Sequence, residues 1–138
     1  MATTIRPEIS KEHKYWINKH KYYELKHFCL QYPVWKKAIQ RVNTLGSSAA
    51  IDETFSKNLP SDPTGDIAIT NLYYTEKIRL VEDIAFETDK YLSSYILKGV
   101  TEGLSYNYLK TRLDIPCSRD MYYDRYRRFF WLLSKERD

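Results

Sequence analysis

The stretch GLSYNYLKTRLDIPCSRDMYYDRYRRFFWLL, residues 103–133, decides the reading of the chain. Ser105 caps a short helix to about Arg112. Asp114, Pro116 and Ser118 then make a turn, and a longer basic helix runs from about Arg119 to Leu133. The first helix is predicted to turn Leu104, Tyr108, Leu109 and Leu113 toward a small core, with Ile115 plugging the turn. The second helix offers Tyr122, Tyr126, Phe129 and Leu133, at steps of four, three and four, which is one helical face. Its opposite side holds Arg127, Arg128 and Trp131, flanked by Arg119, Tyr123 and Arg125. A short helix, a tight turn and a longer basic helix are the parts of a helix-turn-helix.

Those residue types suit duplex DNA. A guanidinium bridges guanine O6 and N7 in the major groove and also binds phosphates. The free helix N-terminus at Ser118 and Arg119 offers backbone N–H groups to a phosphate. Arg119 sits early, where recognition helices meet base edges; Arg127 and Arg128 lie further along and grip phosphates. Tyrosine hydroxyls such as that of Tyr123 add phosphate contacts. Asp120 and Asp124 share the exposed side; Asp124 can pair with Arg128 four residues on and orient it. The expected DNA-binding set is Ser118, Arg119, Tyr123, Arg125, Arg127 and Arg128. The competing reading is a basic amphipathic helix with a solvated face.

Upstream of this stretch every periodic segment reads as helix. A polar and aromatic helix follows Ser10 to about Leu30, with Ile9, Trp16, Tyr23 and Leu30 seven apart on one face. Pro33 is expected to stop it near Gln31. A second helix covers about Val34 to Thr44, and residues 46–61 read as a loop. Asp62 and Pro63 are a start signal for a long helix to about Phe86. Its apolar stripe is Ile67, Tyr74, Ile78, Val81 and Ala85, widened by Leu72, Leu80 and Ile84. A short helix from about Thr88 to Leu97 comes next, and Gly99 and Gly103 punctuate the following connection. No segment alternates with period two, so the expected fold is all-α: an N-terminal helical pair, a long central helix and the C-terminal helix-turn-helix.

Charge is uneven along the chain. Residues 1–60 carry net +5, 61–103 net −4 and 104–138 net +3. Two regions follow from this: residues 1–60 as an N-terminal helical region and polar loop, suited to oligomerisation, and residues 61–138 as long helix plus helix-turn-helix. One such motif is seldom enough for useful affinity, so a homo-oligomer is expected, with the aromatic heptad face as its seam.

The other function classes lack signals. With 138 residues the chain is long enough for one domain, or a small domain with a helical appendage, and too short for a large two-domain enzyme. No apolar run approaches the roughly 18 residues of a membrane span, and MATTIRPEISKEHKYW lacks the apolar stretch of a secretory leader. A soluble cytoplasmic protein is expected. Cys29 and Cys117 have no metal or redox spacing. His13, His20 and His27 recur every seven residues, about 10.5 Å apart along a helix, too far to share one zinc. Glu82, Asp83, Glu87 and Asp89 lack any accompanying phosphate loop or metal-site spacing and read as a solvated acidic face. No metal, no cofactor and no catalytic grouping is expected.

The segment LSYNYLKTRLDIP closely resembles the helix-turn-helix of sigma-factor region four, over about thirty residues. A wider likeness covers most of the chain. It runs from the Tyr-rich helix and the Tyr32-Pro33 break, through a second helix, a polar loop and a DPT-type cap, to the long helix with IAITNLYYTEKI and the terminal pair. In this order of parts the chain resembles small phage transcriptional regulators of the RinA and ArpU kind. That resemblance implies activation of late phage genes by binding promoter DNA and acting on host RNA polymerase, in the cytoplasm of a bacterial host. Alternatives are a DNA-packaging protein of small-terminase type and a helical module that binds host RNA polymerase without touching DNA.

Overall fold

In the computed structural model, residues 11–47 and 63–137 are described, with side chains at all but 44–47 and 63–66. The described residues form helices and turns, with no strand among them. The helices are α1 (Lys19–Leu30), α2 (Tyr32–Ser47), α3 (Pro63–Thr88), α4 (Ser93–Glu102), α5 (Tyr106–Leu113) and α6 (Arg119–Arg137). None of them is long and apolar enough to cross a membrane. The all-α expectation holds.

Two compact units make up the chain. Among the described residues, one joins residues 11–31 with residues 81–137, and the other lies within Tyr32–Leu80. Residues 60 and 61, where charge places a boundary, lie outside the described residues. The interruption of the first unit by the second is invisible to a charge count, because it depends on which helix faces pair.

In the first unit, α1 packs on α4 and α6, and α4 also packs on α5. Its core takes Tyr22, Leu25, Phe28 and Cys29 from α1, Val81, Ile84 and Ala85 from the end of α3, and Ile96 and Val100 from α4. Leu109, Ile115, Tyr122, Tyr126, Phe129, Phe130 and Leu133 also belong to it. Burial places the Cys29 thiol far above its usual range, although the Arg137 charge opposes the shift. It packs as a small hydrophobe.

The first helix starts later than the heptad pattern predicts. Residues 11–15 are turns, and Asn18 caps α1 by accepting the His20 N–H at 2.8 Å. Trp16 thus precedes the helix, Tyr23 is 40% exposed, and Leu30 is half-buried. Ile9 lies outside the described residues. The buried face is Tyr22, Leu25, Phe28 and Cys29, spaced three, three and one, so the seven-residue row is not a helical seam. At the other end of α1, Gln31 is the C-cap and Pro33 falls in the first turn of α2, where its missing N–H costs nothing.

The long helix is close to its predicted span, and Val81, Ile84 and Ala85 are buried as the stripe requires. Leu72 is instead 59% exposed. The Asp62 cap lies outside the described residues. The next helix is shifted toward the C-terminus. Thr88 ends α3, its hydroxyl donating to the Ile84 carbonyl, and Asp89 organises the turn before α4. Gly99 is accordingly inside α4 and buried, not in a connection. Gly103 does end the helix, in the left-handed conformation at φ 69°, with its N–H and that of Leu104 both returning to the Gly99 carbonyl.

Candidate nucleic-acid interface

The helix pair α5 and α6 is built as its local sequence dictates. Ser105 caps α5, its hydroxyl accepting the Tyr108 N–H at 3.2 Å. Asp114 closes the helix in the left-handed region at φ 54°, a conformation that Asp tolerates better than most non-glycine residues. The N–H groups of Asp114 and Ile115 return to the Leu109 carbonyl, and this bend drives Ile115 into the core, fully buried. Ser118 then caps α6 by accepting the Met121 N–H at 3.1 Å.

Tyr106 is the clamp between the two helices, a role that sequence pattern assigns to no residue. Its hydroxyl donates to the Cys117 carbonyl at 2.6 Å, and its N–H donates to the Tyr123 hydroxyl at 3.3 Å. Tyr108, expected in the core in its place, is 46% exposed. A signal exists in the spacing: Tyr106, Leu109 and Leu113 share a helical face as readily as any set containing Tyr108.

On α6 the inward set is Tyr122, Tyr126, Phe129 and Leu133, as expected, with Phe130 added. The aromatic rings meet edge to face: Tyr126 and Tyr22 each lie close to Phe130, at 5.0 and 5.2 Å. The Tyr22 and Tyr126 hydroxyls share a buried hydrogen bond of 2.7 Å, and burial holds Tyr126 well above the usual phenol range.

The six residues expected to contact DNA divide by environment. Ser118 and Arg119 are exposed at the N-terminus of α6, with the Arg119 guanidinium 5.4 Å from the Tyr123 ring. Tyr123 is half-buried, and its hydroxyl is engaged by Tyr106. Arg125 is engaged as well. Its Nε donates to Asp89 at 2.9 Å and its Nη1 to Asp124 at 2.6 Å, so it ties α6 to the turn before α4. Arg127 is half-buried, and its Nε has no hydrogen-bond partner among the described residues. Arg128 is half-buried too, and its Nη1 reaches the Tyr15 hydroxyl at 3.4 Å.

Tyr15 explains much of this covering. Its ring lies 5.4 Å from that of Trp131, and the residue is only 9% exposed. The segment before α1 therefore lies over the second half of α6. The continuous outward ridge expected from Arg119 to Arg128 is exposed only at its start. Lys110 and Arg112, both exposed on α5, are cations that the sequence pattern does not single out. Lys110 is near enough to the turn to oppose the rise that burial and the Asp89 charge impose on the Cys117 thiol.

Asp89, expected on a solvated acidic face, is instead a structural carboxylate. Asp83 and Glu87 are exposed as expected. Burial pushes the Asp89 carboxyl up, but the Arg125 hydrogen bond and the N–H groups of Leu92 and Tyr91 outweigh it, and the group sits below its ordinary range. Among the described residues no group of three His, Cys, Asp or Glu side chains is placed to hold a metal ion. No family model, no curated protein and no solved structure matches the chain.

Proposed function

We propose that the protein is a DNA-binding transcriptional regulator of phage type, an activator of late genes, working through a helix-turn-helix made of α5 and α6. The observation that carries this reading is the exposed N-terminus of α6. Ser118 caps it, Arg119 stands free of any carboxylate among the described residues, and the cations Lys110 and Arg112 lie on the preceding helix. Arg119 and the N–H groups beside Ser118 enter the major groove, and Lys110 and Arg112 meet phosphates. Arg125 holds α6 in place through Asp89 and acts as a positioning residue. Tyr123 supports the Tyr106 clamp and carries the Arg119 guanidinium on its ring. Arg127 and Arg128 reach phosphates only at the flank of the site. Host RNA polymerase and a second copy of the chain are the further partners of this reading.

The test is selection of bound fragments from genomic DNA by the purified protein, followed by anisotropy on the enriched site. One promoter-like site is expected. Arg119→Ala is expected to lower its preference over random duplex by about tenfold or more, the worth of one good base contact. Unselective recovery of fragments, or an Arg119→Ala variant with full preference, overturns the reading. A second reading, a module that binds protein and not DNA, is favoured by the engagement of Arg125 with the protein's own carboxylates. Capture of polymerase by a protein with no salt-dependent duplex binding decides for it.

A further inference from the structure

A second cationic surface lies on α2, in the other compact unit. This helix carries Lys36, Lys37 and Arg41 and not one acidic residue. Its apolar side is buried through Tyr32, 8% exposed, and Trp35, 3% exposed, which fixes the direction in which the other side points. Lys36, Lys37, Gln40, Arg41 and Asn43 are all exposed. None of the three cations has an anionic partner among the described residues; Lys36 only overlies the Tyr32 ring, at 5.3 Å. Other helices pair some of their charges, as Lys21 does with Glu24 and Lys98 with Glu102. The exposed end of α6 likewise mixes Arg119 with Asp120.

Like charges at i,i+4, as at Lys37 and Arg41, destabilise an isolated helix by a few tenths of a kcal/mol per pair. Such a face is favourable when it meets a polyanion. We infer that the exposed face of α2 binds the phosphate backbone of duplex DNA without regard to sequence. Lys37 and Arg41, one turn apart, are separated by about 6 Å along the axis. A duplex presents one negative charge per roughly 1.7 Å of its length, dense enough to meet all three cations together. Gln40 and, at the end of the row, Asn43 add uncharged donors for phosphate oxygens. An anionic membrane is the poorer fit. Helices that lie on membranes expose a broad apolar face to the acyl chains, whereas α2 buries Tyr32 and Trp35 and exposes one large apolar side chain among its described residues, Val34, beside Lys36, Lys37, Gln40, Arg41 and Asn43.

This inference concerns a different surface from the α6 reading and stands or falls separately. Binding of the full-length chain to a labelled duplex of random sequence is measured by anisotropy across a range of KCl concentrations. The test variant is K36Q/K37Q/R41Q; glutamine is a good helix former, so the helix is kept. A control variant, K11Q/K19Q/K90Q, removes the same net charge at exposed positions outside α2. The slope of log K against log salt is expected to shrink by about 2–3 in the test variant, near 0.9 for each phosphate no longer neutralised. It is expected to stay close to the wild-type value in the control. Unchanged affinity and slope in the test variant overturn the inference, as does an equal loss in the control. Failure of the wild-type chain to bind the duplex at low salt, or α2-dependent binding to phosphatidylserine vesicles alone, also overturns it. Arg119→Ala separates the two surfaces, since it is expected to change site preference and leave the α2-dependent part of the slope in place.

Discussion

Gly99 occupies the middle of α4 because nothing larger fits there. A Cβ at this position meets the Tyr122 hydroxyl at far less than contact distance, while the ring carbon that bears the hydroxyl stands at 3.4 Å and Leu109 Cδ1 at 3.6 Å. The obstacle is thus one oxygen atom. That oxygen is itself poorly placed: it is buried and has no hydrogen-bond partner among the described residues. Burial raises the Tyr122 phenol far above its usual range, with smaller contributions from its neighbours Tyr123, Cys117 and Tyr22. Two linked outcomes are expected in urea or thermal unfolding. Tyr122→Phe removes an unsatisfied group and is neutral or stabilising by about 1 kcal/mol. Gly99→Ala alone costs about 1–3 kcal/mol by overpacking, despite alanine's better helix propensity. Combined with Tyr122→Phe, the alanine is expected to lose most of that cost, so the two changes are strongly non-additive. Additive effects would show that the hydroxyl is not what excludes a side chain.

At the scale of elements, the legible parts of the chain are those with local chemistry. Ser105, the left-handed turn at Asp114 and the cap at Ser118 each follow from residues within one turn of the feature, and α5 and α6 end up near their expected places. The face of α6 is legible because its apolar residues repeat at helical spacing. The start of α1 is not, because the seven-residue row through Trp16, Tyr23 and Leu30 continues across a boundary set by the Asn18 cap. What the sequence hides most is cross-chain pairing. Nothing near Arg125 announces Asp89, thirty-six residues away, yet that contact changes Arg125 from a ligand candidate into a brace. Its strength is testable by pH. The folded-state pKa of Asp89 is depressed, so its contribution to stability is present above the unfolded value of about 3.9 and is lost as pH falls through the lower folded value. Asp89→Asn keeps a capping oxygen for the Tyr91 and Leu92 N–H groups and loses the charge opposite Arg125. With the Arg125 side chain 30% exposed and that of Asp89 12%, solvent screening limits the loss to about 1–2 kcal/mol near neutrality. The gap between wild type and variant is expected to close as pH falls below about 4. A gap that persists undiminished at pH 2 would assign the effect to the cap and not to the ion pair.

For the molecule as a whole, two segments far apart in sequence, residues 15–31 and 81–133, form one core. α1 contributes Tyr22, Leu25, Phe28 and Cys29 to the unit that contains α5 and α6, and the Tyr22–Tyr126 hydrogen bond joins residues 104 positions apart. The segment before α1 adds Tyr15 against Trp131. A fragment cut from the sequence at the charge boundary, residues 61–138, therefore lacks one wall of its own core. Without α1, the large apolar side chains of α4 and α6 that it covers face water, at about 25 cal/mol for each Å² exposed. The loss is large against the few kcal/mol by which a domain of this size is stable. The fragment 61–138 is thus expected to show weakened helicity by circular dichroism and no cooperative melt. Addition of a peptide spanning residues 11–31 is expected to restore both, in a manner that depends on peptide concentration. The Tyr22→Phe peptide should restore them less well, since it leaves the Tyr126 hydroxyl buried without its partner. A fragment that melts cooperatively by itself, and is indifferent to the peptide, would mean that α5 and α6 fold without α1.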